Sequence, residues 1–279
     1  NKKGRPVGLG IMGLQDVFFK MRIPFDSADA KSWTRNIAEE IYFEALSTSA
    51  DLAIEEGPHQ NFELTKAKNG ILQFDLWGEK PKNEERFLKL KEKIMRVGLR
   101  NSLLVAIAPT ATIASIVGCY ECIEPQLSNI FKRETLSGEF LQVNQYLVRD
   151  LQSVGLWSES MRQRIIDSNG SLAGIEEIPE ELRMLYRTAW ELPQKDLIDM
   201  AKARGPFIDQ SQSLNLFMET PNIGKLSSMY FYAWQSGLKT CYYLRSRPAT
   251  QIAKTKKAVS EQEAVACSLE NPQMCESCG

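Results

Sequence analysis

Histidine is nearly absent: His59 is the only one in 279 residues. A lone histidine in a loop is more often a surface residue than a base, so Ser-His-Asp and Cys-His schemes have little support. No apolar run approaches the roughly 20 residues of a membrane span. Formal net charge is only −1, which marks neither a nucleic-acid backbone nor an anionic membrane as the main partner. Six cysteines are too few for a disulfide scaffold in a chain of this length. No signal peptide is expected, and a reducing, cytoplasmic setting follows. An initiator methionine is missing, and Asn1-Lys2-Lys3-Gly4-Arg5-Pro6 reads like the middle of a longer protein, a fragment or one piece of a split one.

What is present is an ordinary globular composition, 43% hydrophobic and 25% charged, enough for one large domain or two small ones. Asp26 or Ser27 can cap a long helix whose ridge is Trp33, Ile37, Ile41, Ala45 and Leu52, with Gly57-Pro58 as its stop. A second helix is expected over 84–97, through Phe87, Leu90, Ile94 and Val97, ended by Gly98. The apolar run 103–108 is short and precedes Pro109-Thr110, which favours a strand buried on both faces. Residues 139–204 read as several helices, broken at Gly155, Asn169-Gly170 and Pro179. Another helix lies within 216–237, starting after Pro221. Residues 240–244 read as a short strand, and 246–265 as a flexible linker almost without large apolar side chains. No internal repeat is found.

Four features bear on chemistry. Gly8-Leu9-Gly10-Ile11-Met12-Gly13 fits the dinucleotide spacing G-x-G-x-x-G, but no clear strand precedes it, and close helix packing is the better reading. Pro109-Thr110-Ala111-Thr112-Ile113-Ala114 suits a strand-to-helix turn, either an ordinary cap or a cradle in which free N–H groups and hydroxyls hold a phosphate. Tyr242-Tyr243 would place one ring in the core and one at the surface in a regular strand. A local bend would instead stack two phenols that could relay a proton-coupled electron. Cys275-Glu276-Ser277-Cys278 ends the polar tail, and its thiols could exchange disulfides, hold half a metal site or be incidental. With Cys119-Tyr120-Glu121-Cys122 it could be read as a four-thiolate zinc site, although the pairs are far apart.

Several strings together resemble the large, catalytic subunit of class I ribonucleotide reductase, of the eukaryote-like type that bacteria and viruses also carry. They are Arg5-Pro6-Val7-Gly8-Leu9-Gly10 with Gly13-Leu14, then 103–112, then Ile123-Glu124-Pro125 with Ser128-Asn129-Ile130. Leu136-Ser137-Gly138-Glu139-Phe140 and Phe207-Ile208-Asp209-Gln210-Ser211-Gln212-Ser213-Leu214-Asn215 follow. Gly237-Leu238-Lys239-Thr240 then leads into Tyr242-Tyr243-Leu244-Arg245, and Cys267-Ser268-Leu269-Glu270-Asn271 into the terminal pair. The order is the family's from end to end. The resemblance covers only the C-terminal part of that subunit.

The resemblance implies an α/β fold, the C-terminal part of a ten-stranded α/β barrel, helix-rich, over 1–245, with a flexible tail over 246–279. It implies a ribonucleoside-diphosphate reductase, an oxidoreductase of deoxyribonucleotide synthesis. Thr110, Ala111, Thr112 and Ile113 match the loop that binds the substrate diphosphate. The family usually has Ser or Thr at the position of Ile113, so one hydroxyl is lost. Tyr242 and Tyr243 match the radical-relay pair, here with one residue fewer before them than in eukaryotic members. Cys275 and Cys278 match the tail dithiol that is reduced by thioredoxin or glutaredoxin. Cys119 and Cys122 match no functional pair. No cofactor or metal is expected on this chain. A di-metal and tyrosyl-radical cofactor belongs to the partner small subunit, and nucleotide effectors to the part upstream, where the radical cysteine also lies. The implied partners are that upstream part, the small subunit and a second large subunit, with no nucleic acid and no membrane. The chain alone is expected to be inactive. A tail of about thirty residues has a coil dimension of roughly 30 Å and reaches about 100 Å when extended, enough to enter a barrel mouth. Two rival readings are a non-catalytic thiol-exchange or zinc-binding module, and an inactive split half serving as a scaffold.

Overall fold

Polar caps and glycines set the helix boundaries. The Ser27 hydroxyl accepts the Ala30 N–H at 3.0 Å and opens α2, Ala28–Glu56. Asn83, Asn144, Ser158 and Asn222 do the same for α4, Glu84–Val97, α6, Gln145–Ser153, α7, Glu159–Asp167, and α10, Ile223–Gln235. Each side-chain oxygen takes an N–H that has no partner inside the helix. The remaining helices are α1, Leu14–Met21, α3, Gln73–Leu76, α5, Ala111–Val117, α8, Glu180–Leu185, and α9, Gln194–Arg204. This is a computed structural model, and it describes residues 1–135, 138–220 and 222–247. The expected tail therefore lies almost wholly outside the described residues, as do Leu136, Ser137 and Pro221.

Four extended segments run parallel, side by side. Residues 7–9 lie along 103–107, with Val7 N–H on the Leu103 carbonyl at 3.0 Å and Ala106 N–H on that of Leu9 at 2.9 Å. Residues 103–107 pair on their other side with 210–213, through Gln210 N–H to Val105 (3.1 Å) and Ser213 N–H to Ile107 (2.9 Å). The third segment bends where the Leu214 N–H returns to the Gln212 carbonyl and continues as β3, Leu216–Phe217, which pairs in parallel with β4, Leu244–Arg245. Parallel neighbours need long crossovers. Helices α1 to α4 make the first, α5 to α9 the second and α10 the third. The second crossover also carries an antiparallel hairpin, β1, Ile130–Thr135, with β2, Gly138–Val143, in register from Ile130 opposite Val143 to Thr135 opposite Gly138.

Several expectations shift in detail. The run 103–108 is the central extended segment, with Leu104, Val105 and Ile107 buried but Leu103 at 38% exposure. Residues 139–143 belong to the hairpin rather than a helix, because their ladder to 130–135 holds them extended until Asn144 caps α6. The breaks at Gly155, Asn169-Gly170 and Pro179 do separate α6, α7 and α8. The buried ridge of α2 is Ala30, Thr34, Ala38, Tyr42, Leu46 and Ala50, one residue off the expected one. Its alanines let α9 and α4 pack closely. Trp33 and Leu52 are exposed, and Ile41, Ala45 and Leu52 instead line an open apolar hollow of about 560 Å³ with Val7, Leu9 and Leu104. Among the described residues no helix is long and apolar enough to cross a membrane.

His59 is a further correction, being 3% exposed rather than on the surface. Its backbone N–H donates to the Leu99 carbonyl at 2.9 Å, and its ring stands edge-on to Phe62. Gly98, at φ 83° with Pro58 Cβ 2.6 Å from where a side chain would start, lets the two loops close around it. Burial pushes the His59 pKa down from its usual value, and Nδ1 has no hydrogen-bond partner. The unfolded chain therefore binds a proton that the folded one refuses. Stability from this site is present above about pH 6.5 and is lost as pH falls below it. In denaturation midpoints recorded from pH 7.5 to 5.5, His59→Gln is expected to flatten the acid-side decline. An unchanged slope removes His59 as the cause.

Candidate functional site

The tyrosine pair sits where the fourth extended segment meets the third. Tyr242 N–H bonds the Leu214 carbonyl at 2.7 Å, and the Tyr243 carbonyl accepts Leu216 N–H at 2.9 Å. Between these two backbone bonds, the Tyr243 N–H goes to the side-chain Oδ1 of Asn215 at 3.1 Å. The ladder is regular only from Leu244 onward, later than the strand expected at 240–244. Strict alternation is broken as a result. Neither ring enters the core: Tyr242 is 48% and Tyr243 53% exposed. Their centroids are 4.0 Å apart with the planes tilted by 51°. The rings are in contact but tilted rather than parallel, which is neither the one-in, one-out strand nor flat stacking. Hydrogen bonding to Tyr243 pushes the Tyr242 phenol pKa up.

The turn at Thr110 is strained. Thr110 has φ 56°, unusual for a β-branched residue. Its hydroxyl does not cap α5 but accepts the Cys122 N–H at 2.8 Å, tying the turn to the 119–122 loop. The α5 ladder begins with Ala114 N–H to the Thr110 carbonyl. The N–H groups of Ala111, Thr112 and Ile113 are therefore without partners inside the helix. All three residues are exposed. An anion here would meet those N–H groups and the Thr112 hydroxyl.

Cys122 is fully buried, which pushes its pKa up to about 11. Burial also raises Cys119. A thiol is nucleophilic and metal-binding as the thiolate, so neither residue is prepared for exchange or ligation. Among the described residues no group of three or more His, Cys, Asp or Glu could hold a metal. Cys275 and Cys278 lie outside the described residues. Gly8 lies in the first extended segment and Gly10 directly after it, not in a turn that leads from a strand into a helix. A Cβ on Gly10 would stand 2.5 Å from the Ala106 carbonyl oxygen. The close neighbour is thus a backbone strand, where helix packing was expected.

Three groups beside the tyrosines carried no signal of their own in the sequence, although each lies in a string quoted above. Asn215 is 1% exposed, and its Nδ2 donates to Glu124 Oε1 at 2.5 Å. Burial pushes the Glu124 pKa up, against the opposing Asn215 bond. The Arg245 guanidinium lies 5.9 Å from the Tyr243 ring centre. Further down the same segment, Asp209 accepts N–H bonds from Leu104 (2.9 Å) and Val105 (2.8 Å). Lys239 Nζ reaches the carbonyls of Ile208, Asp209 and Gln210 at 3.1, 2.8 and 2.8 Å.

Comparison with known proteins places the fold. The chain is 46% identical to the ribonucleoside-diphosphate reductase large subunit of Danio rerio over 100% of its own length and 38% of the relative's. It is 42% identical to that of Arabidopsis thaliana over 100% of its length and 37% of the relative's. It thus spans less than two-fifths of these relatives. Among solved structures, the class Id ribonucleotide reductase alpha subunit of Actinobacillus ureae matches with a TM-score of 0.69 at 26% identity, covering 89% of this chain and 40% of that one. The ribonucleotide reductase barrel-domain model matches residues 1–244. Parallel segments joined by helical crossovers, the strained turn and the paired tyrosines therefore sit on a known scaffold, and the chain belongs to the ribonucleotide reductase barrel-domain family.

Proposed function

We propose that this chain supplies the later part of the catalytic barrel of a ribonucleoside-diphosphate reductase. The reaction replaces the ribose 2′-hydroxyl with hydrogen. The hydroxyl leaves as water, and two thiols close to a disulfide, giving up the two electrons. The observation that carries the reading is the tyrosine pair at 4.0 Å, in a chain whose relatives bear that enzyme's name. A phenol loses an electron readily only when it also loses its proton. Two phenols in contact can pass both. Tyr242 and Tyr243 relay the radical from a small subunit, which holds the di-metal and tyrosyl-radical cofactor, toward a cysteine in the upstream part of the large subunit.

The substrate diphosphate rests on the turn at 110–113. Its holders are the N–H groups of Ala111, Thr112 and Ile113 with the Thr112 hydroxyl, since Thr110 is committed to Cys122 and Ile113 has no hydroxyl. Cys275 and Cys278 re-reduce the active-site disulfide and are reduced in turn by thioredoxin or glutaredoxin. The enzyme works in the cytoplasm on a large-subunit dimer, and nucleotide effectors bind upstream of the matched region.

Three outcomes test this. This chain, given only a small subunit, reductant and a ribonucleoside diphosphate, should show no turnover, and turnover would sink the assignment of the radical cysteine to the upstream part. In the complete enzyme, Tyr242→Phe or Tyr243→Phe should reduce turnover to a few percent or less while nucleotide affinity stays within about twofold. Phe keeps the ring but has no proton to lose, so an active variant removes that residue from the relay. The double change Cys275→Ser and Cys278→Ser should leave a single-turnover burst intact and then stop with thioredoxin as reductant. A small dithiol should partly restore it, because exchange needs an attacking thiolate but no tether. Full steady-state turnover of the double variant with thioredoxin would mean that the tail pair is not the carrier.

A further inference from the structure

Glu124 has no part in the chemistry above, yet it is a carboxylate only 8% exposed. Burying a charge is costly unless it is paired or hydrogen-bonded. Glu124 is engaged on two sides, and both lead to Tyr243. On one side its Oε1 accepts Asn215 Nδ2 at 2.5 Å, and Asn215 Oδ1 accepts the Tyr243 N–H at 3.1 Å. That second bond is the one that replaces a ladder bond and breaks the alternation of the tyrosines. On the other side the positive charge of Arg245 acts on the carboxylate, and the same guanidinium lies 5.9 Å from the Tyr243 ring. Arg245 Nε is buried without a hydrogen-bond partner, so electrostatics rather than a direct bond ties it to Glu124. The other charged group that acts on Glu124 is Glu121, on the same loop.

We propose that Glu124 is a positioning residue for Tyr243. It orients the Asn215 amide that draws the Tyr243 backbone out of regular register, and its charge offsets the Arg245 cation beside the Tyr243 ring. A cation near a phenol favours the phenolate and makes removal of an electron from the ring harder. The balancing carboxylate offsets that cation, so an electron leaves the ring more easily. The consequence for turnover rests on the relay reading, whereas the positioning itself does not.

The test places 3-fluorotyrosine at position 243 of the complete enzyme and follows its titration by fluorine NMR. The fluorine lowers the phenol pKa and brings the titration into an accessible range. Glu124→Gln keeps an oxygen for Asn215 but removes the charge, and should lower the phenol pKa by about half a unit. Arg245→Gln should raise it by a similar amount, and the double variant should return to within about 0.2 unit of the parent. Glu124→Ala, which also removes the acceptor, should add a change in fluorine shift that Glu124→Gln does not show. In the enzyme with its natural tyrosine, Glu124→Gln should lower kcat about tenfold and leave KM within about twofold. An unmoved titration in Glu124→Gln overturns the proposal even where Tyr243→Phe abolishes turnover. Should Glu124→Gln not fold, an unmoved titration in Arg245→Gln overturns it equally, since Arg245 is only half-buried. A titration that moves as expected while Tyr243→Phe stays active supports the positioning and removes the relay.

Discussion

The carboxylate of Asp209 holds the central segments of the sheet together. Its two oxygens take the N–H groups of Leu104 and Val105 on the neighbouring segment. Charge-assisted bonds of this kind are roughly twice as strong as neutral ones. Burial pushes the Asp209 pKa up, and those two N–H bonds are the main opposing force. Lys239, just before the tyrosines, adds three bonds to the carbonyls around Asp209. One acid thus fixes the spacing of two parallel segments, and one lysine ties the stretch after α10 to the second of them.

Everything nearer the candidate site inherits that alignment. With residues 209–213 held along 103–107, the segment bends at Leu214 and delivers Asn215 beneath the fourth segment. The same alignment sends 103–107 directly into the turn at Thr110. The N–H groups of 111–113 that lack partners inside α5 and the tyrosine pair therefore both depend on that one brace. Thr110 and Cys122, at the turn, both have φ near +50°, and one hydrogen bond joins them.

Buried polar groups elsewhere serve the frame rather than chemistry. Arg204 is 3% exposed, and its pKa falls to about 10 because burial disfavours its charge. It is held by Gln212 Oε1 at 2.6 Å and the Thr34 hydroxyl at 3.3 Å, which ties α9 to α2 and to the third segment. Gln126, Asn129 and Asn144 form a closed amide network that joins the hairpin to α6 and to the Tyr186 carbonyl. Each amide donor in it meets an oxygen, as a buried network requires. The cysteines beside this frame are raised in pKa by the same burial, so they behave as small packed side chains.

The sequence by itself determined the features that depend on neighbours in the chain. Ser27, Gly57, Gly98 and Pro179 mark helix ends because caps and breakers act within a turn or two. The run at 103–108 declared an extended segment, and the strings from Arg5 to Arg245 declared the family. Tertiary structure decided whatever depends on partners distant in the chain. Which ridge of α2 is buried was set by α9 and α4, since Ala38 and Tyr42 suit their surfaces better than Trp33 does. His59 was taken inside by the loops meeting at Gly98. Residues 139–143 became a strand because 130–135 were there to pair with them. The two tyrosine rings could meet only once Asn215, 28 residues away, replaced a ladder bond. No local periodicity encodes that bond, because it exists only after the parallel segments are in register.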